Sequence, residues 1–210
     1  MWWSTIGVMI APSRRRSVAW SLTVAAALAA GGCGGSGKSS QRGSTGAGAL
    51  SAEAQSAATG DIPDNQAFLV FHNSPGGYSI KYPEGWTRTG SGKDVTFEDK
   101  SNLVHVVVGS GSAPTPESAS SQLTRLKRSS ASLVVVSAPR QVTIGGARVI
   151  KSAYSTRSAP NPVTGKSVTL VVDRYQLSSG GKVATVDLGT PRGVDNVDAY
   201  RLMIESFKWR

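Results

Sequence analysis

The stretch GYSIKYPEGW, Gly77 to Trp86, constrains the fold most. Tyr78, Ile80 and Tyr82 alternate with Ser79 and Lys81, so an extended chain places two aromatics and an isoleucine on one face, which must be covered. Tyr82-Pro83-Glu84-Gly85 has Pro second and Gly fourth, as a type I turn prefers, which predicts a chain reversal before Trp86. DVTFED (Asp94 to Asp99) and LVHVVVG (Leu103 to Gly109) continue the strand pattern and predict a meander. Strand patterns return over 133–143, 147–154, 166–177 and 182–188. Turn residues separate them: Gly145-Gly146, Pro160-Asn161-Pro162 with Gly165, and Ser178 to Gly181.

Two segments follow the helical period instead. Between Pro114 and Ala131, Ala119, Leu123 and Leu126 share one face, with Thr115 as N-cap, Pro116 in the first turn and Glu117 favouring the dipole. From Gly193 to Trp209, Val197, Tyr200, Ile204 and Phe207 share another, with Asp195 as cap and Asp198 in the first turn. Capping accounts for both carboxylates, and two of them fall short of the ligand number calcium requires. Strands, helix, strands and helix in that order predict an α+β fold, an antiparallel β-sheet with helices packed on it. The span from 66 to 210 reads as one globular domain, long enough to bury roughly two-thirds of its unfolded surface.

GYSIKYPEGW, the strand containing VDRYQL (Val172 to Leu177) and the ending AYRLMIESFKW resemble the PsbP-like family over roughly Phe68 to Arg210. The resemblance implies an α/β/α sandwich used as a noncatalytic binding or assembly module. The motifs are strand and turn residues, so they carry fold rather than function, and the family's photosynthetic role does not transfer with them.

Upstream, GCGGSGKS (32–39) fits the spelling of a phosphate-binding loop. Its neighbours do not fit: an apolar run, Val18 to Ala30, precedes it and a Gly/Ser/Ala-rich stretch follows. NPVTGKS (161–167) lacks the required first Gly and reads as a hairpin loop. Arg14-Arg15-Arg16, the apolar run and small residues form a secretory signal. Ser17-Val18 suits a twin-arginine route poorly, which favours general secretion. Ala30-Gly31-Gly32-Cys33 resembles the lipobox of bacterial lipoproteins, with Ala30 where that motif most often has Leu. In that family the cysteine takes a diacylglyceryl group and cleavage occurs just before it. The expectation is a signal peptide with lipobox over 1–32, a lipidated Cys33 and flexible tether over 33–65, and a lipid-anchored domain on the extracytoplasmic face of the cell membrane. Cys33 is the sole cysteine, so no internal disulfide supports the domain.

The formal net charge of +10 falls by three when Arg14 to Arg16 leave with the signal. At an extracytoplasmic address the remaining basicity points to anionic lipids or wall polymers, and solubility alone also accounts for it. No nucleic-acid partner is expected, because the aromatics do not interleave with the basic residues. His72 and His105 are the only imidazoles, far apart and without paired metal-ligand spacing, so neither catalytic nor metal-binding residues are assigned and no cofactor is expected. Trp86, Tyr154 and Tyr175 are the candidates to line a ligand cavity, core packing being their ordinary role. The reading is a membrane-anchored, noncatalytic binding or assembly module at the cell envelope, its partner an envelope protein, lipid or wall polymer. The alternative is an extracytoplasmic enzyme, an unrecognised hydrolase for instance. Cys33→Ala is expected to abolish incorporation of a labelled fatty acid, read by metabolic labelling and mass spectrometry of the N-terminal peptide; label that persists in the variant places the acyl chain elsewhere.

Overall fold

The computed structural model describes residues 60–161 and 163–210. The signal, the lipobox with Cys33 and the tether as far as residue 59 lie outside the described residues. Ten strands and two helices are present among the described residues. The strands are β1 (Phe68–Asn73), β2 (Tyr78–Pro83), β3 (Thr87–Ser91), β4 (Asp94–Asp99), β5 (Asn102–Ser110), β6 (Val134–Ile144), β7 (Ala147–Arg157), β8 (Thr169–Ser179), β9 (Lys182–Pro191) and β10 (Lys208–Trp209). The helices are α1 (Pro116–Ser129) and α2 (Val197–Glu205).

All pairings are antiparallel, but the strands form two sheets. One has the order β1-β2-β10 and the other β3-β4-β5-β9-β8-β7-β6. This corrects the expected meander, since β2 and β3 belong to different sheets. The turn also sits one residue later than expected: the Trp86 amide donates to Pro83 O, and Gly85 occupies the third position with φ 88°. A type II turn requires φ > 0 there, which explains the glycine. Gly145-Gly146 and Gly180-Gly181 close two-residue hairpins with both residues at positive φ, a twist that matches the strands they join.

The main core lies between the inner face of the seven-stranded sheet and a layer made by the small sheet and α2. Tyr78 and Ile80 reach it from β2, Phe97, Val104 and Val186 from the large sheet, and Met203 and Ile204 from α2. A second cluster on the outer face joins Leu123 of α1 to Leu133, Tyr154, Leu170 and Val172. The Thr115 hydroxyl accepts from the Ser118 amide while the Ser118 hydroxyl accepts from the Thr115 amide, a reciprocal capping box that fixes where α1 begins.

The terminal helix is shorter than its apolar period implied. The Ser206 hydroxyl donates to Met203 O at 2.6 Å and accepts the Lys81 amide at 2.8 Å, tying the helix end to β2. Beyond it Phe207 is buried, Lys208 exposed and Trp209 half-buried, a strand alternation that pairs Trp209 with Tyr78. Val197, assigned to the buried face, is 68% exposed. The N-cap is Asn196 rather than Asp195, although Asp195 Oδ1 accepts the Val197 amide at 3.2 Å.

Asn196 points inward instead of capping. Its Oδ1 accepts the Ile62 amide at 2.8 Å, and its Nδ2 donates to Asn102 Oδ1 at 3.0 Å, Thr190 Oγ1 at 2.8 Å and Gly60 O at 3.2 Å. Asn102 Nδ2 donates to the same Gly60 carbonyl at 2.5 Å. Ile62 enters the main core, so the packed domain includes residues 60–65 that composition assigned to the tether. Fixing Gly60 to Ile62 costs about 3–6 kcal/mol of backbone entropy. Burial of Ile62 returns about 2 kcal/mol and the bonds about 1 kcal/mol each, so the segment stays seated only while the amide network is intact. Asn196→Ala is therefore expected to lower the unfolding free energy by about 2–3 kcal/mol in urea titration, because it leaves buried partners unpaired. Asp195→Ala, which removes one exposed bond, is expected to cost under about 1 kcal/mol.

Candidate functional site

On the inner face of the large sheet, two adjacent strands each turn a charged side chain toward the core side. Lys151 follows Val149 in the inward phase of β7, and Asp173 precedes Tyr175 in that of β8; Lys151 and Tyr175 are register partners. Lys151 Nζ lies 2.7 Å from Asp173 Oδ2 and 5.1 Å from the centre of the Tyr175 ring. The Tyr175 hydroxyl donates to Asp173 Oδ2 at 3.4 Å.

These groups form one wall of a cleft of about 550 Å³ between strands β6 to β9 and α2. Val142, Ile144, Val171, Leu188 and Ile204 give it an apolar floor. Arg192, Arg201 and Glu205 line its rim, and the end of β9 with the loop from Arg192 to Asn196 closes one end. Tyr200 of α2 also lines the cleft, and its hydroxyl donates to Gly189 O, which fixes the helix against the sheet. The Asn196 network holds the same loop, so the anchoring of Gly60 and the shape of the cleft depend on one side chain.

Burial alone would pull the Lys151 ammonium down, but hydrogen bonds and charge from Asp173 and Tyr175 outweigh it and hold its pKa above the ordinary value. Burial pushes the Tyr175 hydroxyl up. The cluster sets a protonated amine and a neutral phenol on the Asp173 side chain, which together can orient a polar group by hydrogen bonding while the floor takes up an apolar one.

Of the three aromatics proposed as cavity residues, the structure brings only Tyr175 to this cleft. Trp86 is buried in the main core. Tyr154 lies on the opposite face, where its hydroxyl donates to Asp187 Oδ2 at 3.3 Å and its ring sits 5.3 Å from the Arg174 guanidinium. Arg174 grips Asp187 with Nε at 2.7 Å and Nη2 at 2.6 Å, a bidentate and largely buried pair. His105, on that outer face, has its Nε2 2.8 Å from Asp94 Oδ1, and His72 is exposed on β1. The cleft adjoins neither histidine. Among the described residues no three His, Cys, Asp or Glu side chains gather as metal ligands, and no helix is long and apolar enough to cross a membrane. Lys151, Asp173 and Asn196 escaped the sequence reading. The legible signal for the first two was a charge in the inward phase of neighbouring strands.

No family model matches the chain, and no curated protein matches it. Among solved structures, the cyanobacterial PsbP protein of Synechocystis sp. PCC 6803 is similar at 15% identity, with a TM-score of 0.53, over 72% of this chain and 98% of that one. LpqN of Mycobacterium tuberculosis, described as involved in cell envelope biogenesis, is similar at 15% identity over 69% of this chain and 91% of its own, with a TM-score of 0.40. The Ran-binding protein Mog1p of Saccharomyces cerevisiae is similar at 9% identity over 69% and 96%, with a TM-score of 0.46. The likeness to the cyanobacterial protein shows the fold: the domain is PsbP-like, an α+β arrangement of antiparallel sheets and helices, as the strand and turn motifs implied.

The raised pKa of Lys151 means that its charged form favours the fold. That contribution is complete below the ordinary lysine value of about 10.4 and is lost as pH rises through the folded value. The raised pKa of Tyr175 acts in the same direction, because the fold favours its neutral form, and stability is lost above about pH 10. Urea midpoints are therefore expected to fall from about pH 10 upward. Lys151→Met should flatten part of that fall and leave the part set by the tyrosines, Tyr78, Tyr154 and Tyr200 among them, whose hydroxyls burial also pushes up.

Proposed function

We propose that this chain is a lipid-anchored, noncatalytic binding module of the cell envelope and that the cleft between α2 and strands β6 to β9 is its ligand site. One observation carries the ligand reading: a concave space of about 550 Å³ has an apolar floor and, on one wall, a single closed polar cluster, Lys151-Asp173-Tyr175. Pockets of this size and lining hold small molecules by burying an apolar body and orienting one polar end. The corresponding ligand is amphiphilic, its polar group meeting Lys151 and the Arg192 and Arg201 rim. The anchoring half of the proposal is supported by the order of basic segment, apolar run, small residues and sole cysteine at Cys33.

The noncatalytic reading is supported by the state of the polar cluster. Lys151 is held charged and Tyr175 neutral, so at neutral pH neither is poised to take a proton from a substrate. Arg174 and Asp187 satisfy one another on the far face, sealed from the cleft by the sheet itself.

The test is recovery of what the full chain carries. Protein purified from host membranes is extracted and analysed by mass spectrometry beside an Ile144→Trp variant, whose larger side chain fills the cleft from a half-buried position at the end of edge strand β6. The expected result is an amphiphile bound to the wild-type protein and reduced at least tenfold in the variant, with thermal stability little changed. A wild-type protein that carries nothing, yet crosslinks in living cells to a specific envelope protein, moves the function from ligand carriage to assembly. A bound species converted to a product on the wild-type protein replaces the noncatalytic reading with an enzymatic one.

A further inference from the structure

The face of α2 turned away from the ligand cleft borders a second cleft, of about 610 Å³, between the helix and the small sheet. Lys81 of β2, Arg201 of α2, and Lys208 and Arg210 at the chain's end line it, against the carboxylates of Asp198 and Glu205. Asp198 is taken up by Arg201 in an ion pair one helical turn apart. Among the described residues Lys81, Lys208 and Arg210 form no ion pair, so three cations stand beside one unpaired side-chain carboxylate, that of Glu205. No aromatic side chain lines this cleft, which removes the stacking platform a single-stranded nucleic acid needs.

Apolar side chains stand among these cations. Val70 and Leu202 line the same cleft and are 50% and 38% exposed. A lone phosphate ion asks for convergent donors in an enclosed site, whereas these cations sit on long arms from three separate elements. Basic arms spread over a surface with shallow apolar side chains between them match the interface of an anionic bilayer, where headgroup charge attracts and the acyl boundary accepts a few apolar groups.

We propose that this surface, formed by the outer side of α2 with β2 and β10, docks the domain directly on anionic phospholipid headgroups, independently of any acyl chain on Cys33. The envelope placement proposed above supplies its setting, while the contact itself is a property of the domain. Arg201 and Glu205 line both clefts, so α2 is the partition between them. Docking through one side brings the mouth of the ligand cleft beside the bilayer.

The test uses the full chain with Cys33→Ala, labelled with an environment-sensitive fluorophore at Val70→Cys, which lines the second cleft and not the first, or, as a control on a distant loop, at Val163→Cys, where the native side chain is 90% exposed. Vesicles contain phosphatidylcholine with about one-third phosphatidylglycerol, or phosphatidylcholine alone, and nitroxide lipid as quencher. The apolar run at Val18 to Ala30 partitions equally in every variant, so the signal is the ratio of quenching at 70 to that at 163. The expected result is a ratio well above one on anionic vesicles that falls to one on neutral vesicles and in high salt. Lys81→Gln, Lys208→Gln and Arg210→Gln together should weaken docking by roughly a hundredfold, at about fivefold per cation, and bring the ratio to one. Equal quenching at both positions on anionic vesicles, or quenching at 70 that ignores the triple substitution, overturns the proposal. A label at 70 that shifts as strongly with soluble polyphosphate as with vesicles makes the surface a polyanion site and overturns the lipid assignment. None of these outcomes depends on whether the other cleft holds a ligand, so failure here leaves the binding-module reading intact.

Discussion

Asn196 is the side chain on which the arrangement turns. A carboxamide offers both donors and an acceptor, and here they join the segment at Gly60 and Ile62, the beginning of β5 at Asn102 and the end of β9 at Thr190. The turn between β4 and β5 that delivers Asn102 is itself costly: Lys100 and Ser101 hold φ of 47° and 70°, a region ordinary side chains rarely occupy. Such a turn persists because the network fixes the residue after it. Aspartate in place of Asn196 would supply acceptors where Gly60 O and Asn102 Oδ1 need donors, and serine would be too short to reach all three segments.

What the sequence made legible follows from period and turn chemistry. Tyr78 and Ile80 are fully buried because their alternation had one solution, and α1 begins where Thr115 and Pro116 can begin a helix. The partition into two sheets was not legible, since Pro83 and Gly85 announce a turn without saying whether the next strand pairs with the last. The end of α2 was hidden for a similar reason. Phe207 and Trp209 continue the helical stripe as well as they alternate in a strand, and the choice is made by Ser206 reaching Lys81, a contact between residues far apart in the chain. At the candidate cleft, Tyr175 was named from its type, whereas Lys151 and Asp173 became meaningful only once register set them side by side.

Asp173 and Arg174 are neighbours in sequence and face opposite sides of the sheet. Asp173 meets Lys151 on β7 in the cleft, and Arg174 meets Asp187 on β9 under the outer layer. A one-residue slip of β8 would set Arg174 beside Lys151 and Asp173 beside Asp187, like against like on both faces. The buried Arg174-Asp187 pair need not add net stability over a hydrophobic pair to have this effect, because leaving one buried charge unmatched costs about 3–5 kcal/mol. The same alternation that fixes the register keeps the cleft's polar cluster apart from the structural one.

The large sheet ends at β6, eleven residues long, with Val134, Val135 and Val136 exposed in succession. Its pairing with β7 breaks register twice, between Val135 and Ser137 and again between Ser137 and Arg140, with Pro139 inside the second break. Bulges bend a strand and proline removes a donor, so the outward row of amides and carbonyls is interrupted and curved. A protein concentrated on a two-dimensional surface meets its own copies far more often than one diluted in a volume. For a protein anchored as proposed above, an edge that cannot template another strand is a safeguard against fibre growth, and this domain carries that safeguard where its exposed valines would otherwise invite a neighbour.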